Sequence, residues 1–564
     1  MKLNSRFHPQ FCLGPLFLAV LAGALVGVAL DPGGDLPDWP SGPGVTLDES
    51  FNVQQGVYLK RGIATFGWGV LDPASLREIF DTENGYLPDH PPLGRLWLGV
   101  AHDLAAEALP TETEEQTGWS LLHARFGSAV AFALTVFIIG WVAGYIYSPA
   151  TGFFSSLALV MMPRVVGHAH LASLETVTNL FYTIAVLAVA ALWTKSQPPT
   201  RKAALFCGVL WGLAMLTKIQ GILIMVPVGI WGLCFWRLRS IVPGALFGIA
   251  GFVTLLAFWP WLWNSPVEHL QEYLGRTTDR SINKVYYLGE TYIDHADDSR
   301  PELAEYDVVS WHYPLLMFAV TVPLGFQFLG LLGLKVKPIG RLFDGPLQVI
   351  LLCAFFPVAL FCLPSVSVYD GVRLFLTAYP LWAIVIGRGG AVAWEWLSVR
   401  AGLFGKIVWL TAFLGAQLGS MFVLHPCSLS YYNIGVLSLR GADDLGFEPT
   451  YWGDSLHREF QEEVVSAVPT GTRIGLVPVL HQHQLSSLSS QSRVFQDHQI
   501  EIVPFDPQMP APPEYVMTFY RKADHSAELT ERLEQAELIV EYRRQGVLLS
   551  GLFKLGSSAK PDLP

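Results

Sequence analysis

Apolar residues fall in long uninterrupted runs over most of the chain, and the lengths of those runs set the architecture. A hydrocarbon core about 30 Å thick needs about 20 apolar residues of helix, because a backbone polar group facing lipid finds no partner outside its own segment. Runs near 11–30, 120–146, 150–166, 172–193, 203–217, 219–236, 241–263, 312–334, 346–363, 373–389 and 405–425 predict about eleven transmembrane helices, two of them short and open to being broken helices. The first run follows Lys2 and Arg6 and lacks a clear small-residue cleavage site, so a retained anchor is expected rather than a signal peptide. From about 426 the chain is less apolar. A helix over 454–468, strands at 474–480, 515–520 and 538–542, and a turn at 543–546 before a further strand predict a small α/β domain. The expected fold is an all-α polytopic membrane domain, residues 1–430, followed by an exterior C-terminal α/β soluble domain, residues 431–564.

Basic residues orient the spans, since Lys and Arg are retained on the cytoplasmic side. With the N-terminus inside, cytoplasmic loops receive Lys195, Arg201 and Lys202, then Arg237 and Arg239, then Lys335, Lys337 and Arg341, then Arg388, Arg400 and Lys406. Loops 31–119 and 264–311 and the C-terminal tail then fall on the outer face. Composition agrees with a bilayer environment: 51% hydrophobic and 15% charged, where soluble domains carry about a quarter charged residues. A net charge of -11 gives no support for a nucleic-acid partner, which needs a concentrated basic face. The six cysteines form no CxxC and no paired framework, so neither structural zinc nor an essential disulfide is expected.

The candidate chemistry lies where charge meets the outer ends of these spans. Asp48 and Glu49 open the first exterior loop just after the first span, and a carboxylate there suits the proton acceptor of an inverting sugar transfer. Thr46 and Glu49 also have capping-box spacing, so a helix start is the competing reading. Asp89-His90-Pro91-Pro92-Leu93-Gly94-Arg95 is a rigid turn that can aim Arg95 at the interface, with loop punctuation and a snorkelling arginine as the competing reading, and Arg125 opens the next span in the same ambiguous way. His168, His170 and Glu175 cluster near the outer end of the third run. Their spacing matches no strong metal signature, so Glu175 is read as a substrate contact and no metal is assigned. Lys218 in Leu216-Thr217-Lys218, and Arg373 beside Tyr369 and Asp370, supply cations at headgroup depth for a lipid phosphate.

In this order the stretches resemble the protein O-mannosyltransferase family, whose relatives include enzymes that move aminoarabinose from undecaprenyl phosphate onto lipid A. Asp48-Glu49, His90 to Arg95, Arg125 and Leu216-Thr217-Lys218 fall where that family has similar residues. The family often has Lys at the position of Arg95 and commonly Asp at that of Glu175. The segment from His425-Pro426 through Tyr431-Tyr432-Asn433 to Tyr451-Trp452-Gly453-Asp454 resembles the junction to the extra exterior domain of bacterial members.

The resemblance implies a GT-C fold and a polyprenyl-phosphate sugar donor, with no nucleotide sugar. It also implies a bacterial inner-membrane location with the active site on the periplasmic face. On this reading Asp48, Glu49 and Glu175 are the catalytic acids and Arg95, Arg125, Lys218 and Arg373 hold the donor phosphate, with His90, His168, His170, Tyr369 and Asp370 as further candidates. The acceptor is a protein, lipid or glycan hydroxyl. Two rival readings share many of the same features: a transporter or flippase of a lipid-linked sugar, whose inverted repeats are not evident here, and a noncatalytic envelope-assembly protein that uses the tail for binding.

Overall fold

The computed structural model describes residues 12–194, 197–278, 282–295, 303, 305–336, 344–509 and 512–556. Lys2, Arg6, Lys195, Lys337 and Arg341 of the orientation argument lie outside the described residues. Each apolar run predicted as a span is helical. Among the described residues four helical runs are long and apolar enough to cross a membrane, or six if each of two bent pairs is one span. One of the four, Ile219–Ala257, has 39 residues, too long for a single crossing. It divides at Arg237, whose φ of 49° breaks the helix at the basic turn, and so contains the two runs read separately from the sequence. The shorter helices Leu13–Val28 and Gly345–Leu360 complete the apolar set.

The bends have identifiable causes. Pro149–Val160 meets Pro163–Ala169 at 69°, and Tyr313–Thr321 meets Leu324–Leu334 at 106°. Pro163 and Pro323 lack the N–H that would continue the preceding helix, and Met162 and Val322 before them are extended, as a residue before proline tends to be. The short helix after the first bend carries Arg164 and His168.

Among the basic residues assigned to the inner side, Arg388 can be placed by its contacts. It is buried, ion-paired with Asp344, bonded to the Val336 carbonyl at 2.8 Å and stacked over Tyr147. Asp344 also caps helix Gly345–Leu360 through the Leu347 N–H at 3.1 Å.

Between residues 31 and 119, helices Glu49–Phe66 and Pro92–Ala108 pack at a glycine pair. A Cβ at Gly56 or at Gly99 would run into the backbone of the opposite helix. That close approach brings Asn52 and Arg95 together, with Arg95 Nε 3.2 Å from Asn52 Oδ1. A short antiparallel ribbon, β1 (Lys284–Tyr287) and β2 (Glu290–Ile293), stands in the segment between residues 264 and 311.

The C-terminal unit is α/β, with strands β3 (Arg473–Val477), β4 (Glu501–Pro504), β5 (Tyr515–Phe519), β6 (Glu537–Arg544) and β7 (Val547–Lys554) in the order β4-β3-β5-β7-β6. The pairs β3/β4 and β3/β5 are parallel, while β5/β7 and β6/β7 are antiparallel. The predicted strands at 474–480, 515–520 and 538–542 are β3, β5 and β6, and the predicted helix is Arg458–Ala467. This unit grips the Pro- and Gly-rich loop after the first span. Gly44 N donates to Asp454 O at 2.9 Å, Arg493 N to Gly33 O at 2.7 Å, and Arg458 N to Asp31 Oδ2 at 3.1 Å. Arg164, fully buried, donates to Tyr431 O and Tyr451 Oη at 3.1 Å each and so fixes the junction between the two parts.

Candidate functional site

Adjacent carboxylates at the start of helix Glu49–Phe66 go to different places. Neighbours on a helix diverge by about 100°, and only one of two can face a given side. Glu49 turns inward. It is 1% exposed and accepts from the Thr46 N–H and hydroxyl at 3.0 and 2.9 Å, the Ala172 N–H at 2.6 Å, and Arg125 Nε and Nη2 at 2.8 and 2.7 Å. Arg125 is 2% exposed and spends its remaining donors on the Pro43 and Gly44 carbonyls. The Thr46–Glu49 spacing therefore does form a local hydrogen-bonded turn. Glu49 and Arg125 are brought to each other and not to the cavity, because every polar atom of the pair is already used inside the protein.

Asp48 turns outward. Its side chain is 36% exposed and ion-paired with Nη2 of Arg373. Arg373 divides its other donors between two buried acids: Nε to Glu175 Oε1 at 2.9 Å and Nη1 to Asp370 Oδ2 at 3.1 Å. Its guanidinium lies over the Trp452 ring, 4.3 Å from the centroid. Behind it, Lys218 Nζ is 2.6 Å from the same Glu175 oxygen. Lys218 sits at an extended break after helix Arg201–Thr217, and Glu175 is in the first turn of helix Leu174–Leu192. Two span ends and the turn before a third thus converge on one buried carboxylate.

Arg373 and Asp48 border a cavity of about 820 Å³ whose lining also includes His90, Arg95, Tyr369 and Asp370, while Glu175 and Lys218 lie behind Arg373 and are not in that lining. The C-terminal unit closes the cavity with Trp452, the segment 478–481, Gln484 and Arg521. Gln484 Nε2 donates to the Leu47 carbonyl at 2.8 Å, so the turn bearing Asp48 is held from above. On the wall formed by residues between 31 and 119, Arg95 is 1% exposed and bidentate to half-exposed Asp89 at 2.6 and 2.8 Å. Burial pushes the Asp89 carboxyl up, but the Arg95 charge, the nearby His90 and the hydrogen bonds to the carboxylate together outweigh it and hold the carboxyl down at about 2.

His168 and His170 are not in the cavity lining. His170 shares a hydrogen bond of 2.7 Å with the Val166 carbonyl, and His168 is buried edge-on against Trp452, 5.2 Å between centroids. Among the described residues no group of three or more His, Cys, Asp or Glu side chains is arranged to hold a metal ion. Sequence reasoning missed Trp452 and Arg521. Trp452 lay within the quoted junction segment, but nothing near it in sequence marks it as a partner of Arg373.

Residues 113–263 match the family model described as Dolichyl-phosphate-mannose-protein mannosyltransferase. The resemblance to the protein O-mannosyltransferase family therefore holds over that segment, which contains Arg125, His168, His170, Glu175 and Lys218. No curated protein matches the chain. Among solved structures the chain is similar to ArnT from Cupriavidus metallidurans in the apo state, at 14% identity over 95% of this chain and 97% of that one, TM-score 0.47. It is similar to the archaeal oligosaccharyltransferase AglB from Archaeoglobus fulgidus at 11% identity, over 98% of this chain and 75% of that one, TM-score 0.47. It is also similar to the S. cerevisiae protein O-mannosyltransferase Pmt1-Pmt2 complex at 18% identity, over 51% of this chain and 39% of that one, TM-score 0.33.

Proposed function

We propose that this chain is a multi-pass membrane glycosyltransferase that transfers a sugar, with inversion, from a polyprenyl phosphate to an acceptor hydroxyl on the outer, periplasmic face of a bacterial inner membrane. The Asp48–Arg373 pair at the cavity wall carries the reading, since it joins a proton acceptor to an anion binder in one space. The match of residues 113–263 to a family named for a polyprenyl-phosphate-linked mannose supports the donor class.

On this reading the donor's phosphodiester anion takes the Nη2 side of Arg373 and releases Asp48. Asp48 then accepts the proton of the acceptor hydroxyl as that oxygen bonds to the anomeric carbon. The bond from the anomeric carbon to the phosphate oxygen breaks, its electron pair stays on the phosphate, and a second negative charge develops there. Arg373, with Lys218 behind it through Glu175, opposes that charge, an electrostatic contribution of several kcal/mol in comparable sites. Arg95 stands as a second cation on the wall formed by the first exterior loop.

The test is a transfer assay with the purified full chain in liposomes, polyprenyl-phosphate [14C]mannose as donor, and protein, lipid and glycan acceptors offered in turn. Radiolabel moving to an acceptor with release of polyprenyl phosphate is expected. Movement of intact donor between leaflets without cleavage would replace the reading with a flippase.

A further inference from the structure

The C-terminal unit reaches the site with one cation of its own. Arg521, just past β5, is buried to 12% exposure and touches three separate parts of the chain. Its Nη2 lies 3.2 Å from Asp370 Oδ1 and 3.4 Å from the Lys284 carbonyl on β1, and its Nε lies 3.4 Å from Asp524. Asp370 is the meeting point. Its Oδ2 accepts from Arg373 Nη1 at 3.1 Å and from Trp452 Nε1 at 3.2 Å. Asp370 also sits on a left-handed turn, φ 54° with φ 67° at Gly371, a backbone state that a non-glycine residue holds only when its surroundings fix it. Gly371 N donates to Tyr313 Oη at 3.0 Å, and the Arg521 contact fixes the side chain.

Asp48, Glu175 and Asp370 face Arg373, Lys218 and Arg521 through the ion pairs already described, and Asp524, also paired with Arg521, adds a fourth carboxylate. Removing Arg521 leaves Asp370 with Arg373 as its remaining ionic partner in this network and makes the cluster one unit more negative. An entering anion would meet both a more occupied Arg373 and a repulsive field. Lys522, the next residue, makes a different link: its Nζ pairs with Asp443 at 2.5 Å and its backbone N–H donates to Glu448.

We propose that Arg521 is a positioning residue for the anion site: by neutralising and orienting Asp370, it keeps Arg373 available to the phosphate of a polyprenyl-phosphate ligand, so that the C-terminal unit completes the membrane site. The inference rests on the donor class given under the proposed function.

The test measures binding of farnesyl phosphate and of farnesol to the full chain in detergent micelles. Wild type prefers the phosphate, and Arg521→Ala loses about tenfold of that preference, in line with the loss of a charge-assisted contact. Arg521→Gln, which keeps a polar side chain without the charge, loses a similar amount and serves if the alanine variant folds poorly. Arg521→Lys restores part of the preference, since it returns the charge without the planar fork. Lys522→Ala, which breaks the neighbouring ion pair, leaves the preference intact. No preference in wild type would overturn the donor reading itself. A preference that survives in both Arg521→Ala and Arg521→Gln, or that falls equally in Lys522→Ala, would overturn the role of Arg521 alone.

Discussion

Asp48 and Arg373, 325 positions apart in the chain, are ion-paired at the cavity wall, and Asp48 is the more exposed member of the pair. Of the three carboxylates on Arg373, Glu175 is 4% and Asp370 6% exposed, against 36% for Asp48. Asp48 is thus the most accessible of the three to an entering anion, and in the proposed mechanism its release as a base is coupled to the arrival of that anion.

Asp48→Asn removes the proton acceptor while leaving a side chain of the same size on an exposed turn. Transfer is expected to fall by at least about 10²-fold, the usual contribution of a general base. Donor affinity is expected to hold or tighten, because Arg373 no longer has a competing carboxylate. Turnover and donor binding measured on one preparation check this, with an unchanged unfolding midpoint as the folding control. Near-normal turnover would exclude Asp48 as the base.

Glu49→Gln and Arg125→Ala should behave as stability variants. Breaking a pair this buried leaves an uncompensated charge, at a cost of roughly 3–5 kcal/mol. The expected signature is low yield and a lower unfolding midpoint, with an unchanged donor KM in whatever protein folds. A raised KM at wild-type stability would return Arg125 to the phosphate site.

The contrast between Asp48 and Glu49 marks how much of the site was legible in the sequence. Charge type and nearness to a span end nominated both acids, but the direction each takes from the helix start depends on the Pro43–Gly44 carbonyls and the Ala172 N–H, contacts between distant segments. The apolar runs gave the helices because each buries backbone within its own segment. Strands β3, β5 and β6 were readable from their β-branched and aromatic content. Strand β4 was not, since Glu501–Pro504 is four residues long and ends in proline. Asp48, Arg95, Tyr369, Asp370 and Arg373 do share a cavity as their chemistry suggested, whereas Trp452 and Arg521 join it only through the docking of the C-terminal unit.

The C-terminal unit should be sensitive to acid through His457. This side chain is fully buried against Tyr542, with neither ring nitrogen hydrogen-bonded among the described residues. Burial, helped by the Arg544 charge, pushes the imidazole down to about 3 from its ordinary 6.5. The unfolded chain therefore takes up the proton first as pH falls. The stability contributed by neutral His457 is fully present above about 6.5 and is lost progressively toward pH 3, by up to about 1.4 kcal/mol per pH unit. His457→Phe keeps a ring against Tyr542 and cannot titrate, so its unfolding midpoint should fall less steeply than that of wild type over this window. Parallel slopes would move the acid sensitivity to another group.

Trp452 separates two ways of holding Arg373. Its ring lies under the guanidinium at 4.3 Å, and its Nε1 steadies Asp370 at 3.2 Å. A cation–π contact of this kind contributes about 0.5–2 kcal/mol, and the buried hydrogen bond to a carboxylate about 1.5–3 kcal/mol. Trp452→Phe keeps a π face and loses the N–H, whereas Trp452→Ala loses both. If the two contacts act together on Arg373, donor KM should rise in both variants and further in the alanine one, with kcat less affected than KM. Equal effects in the two variants would mean that the ring contributes nothing beyond its N–H, and that Arg373 is oriented through Asp370 alone.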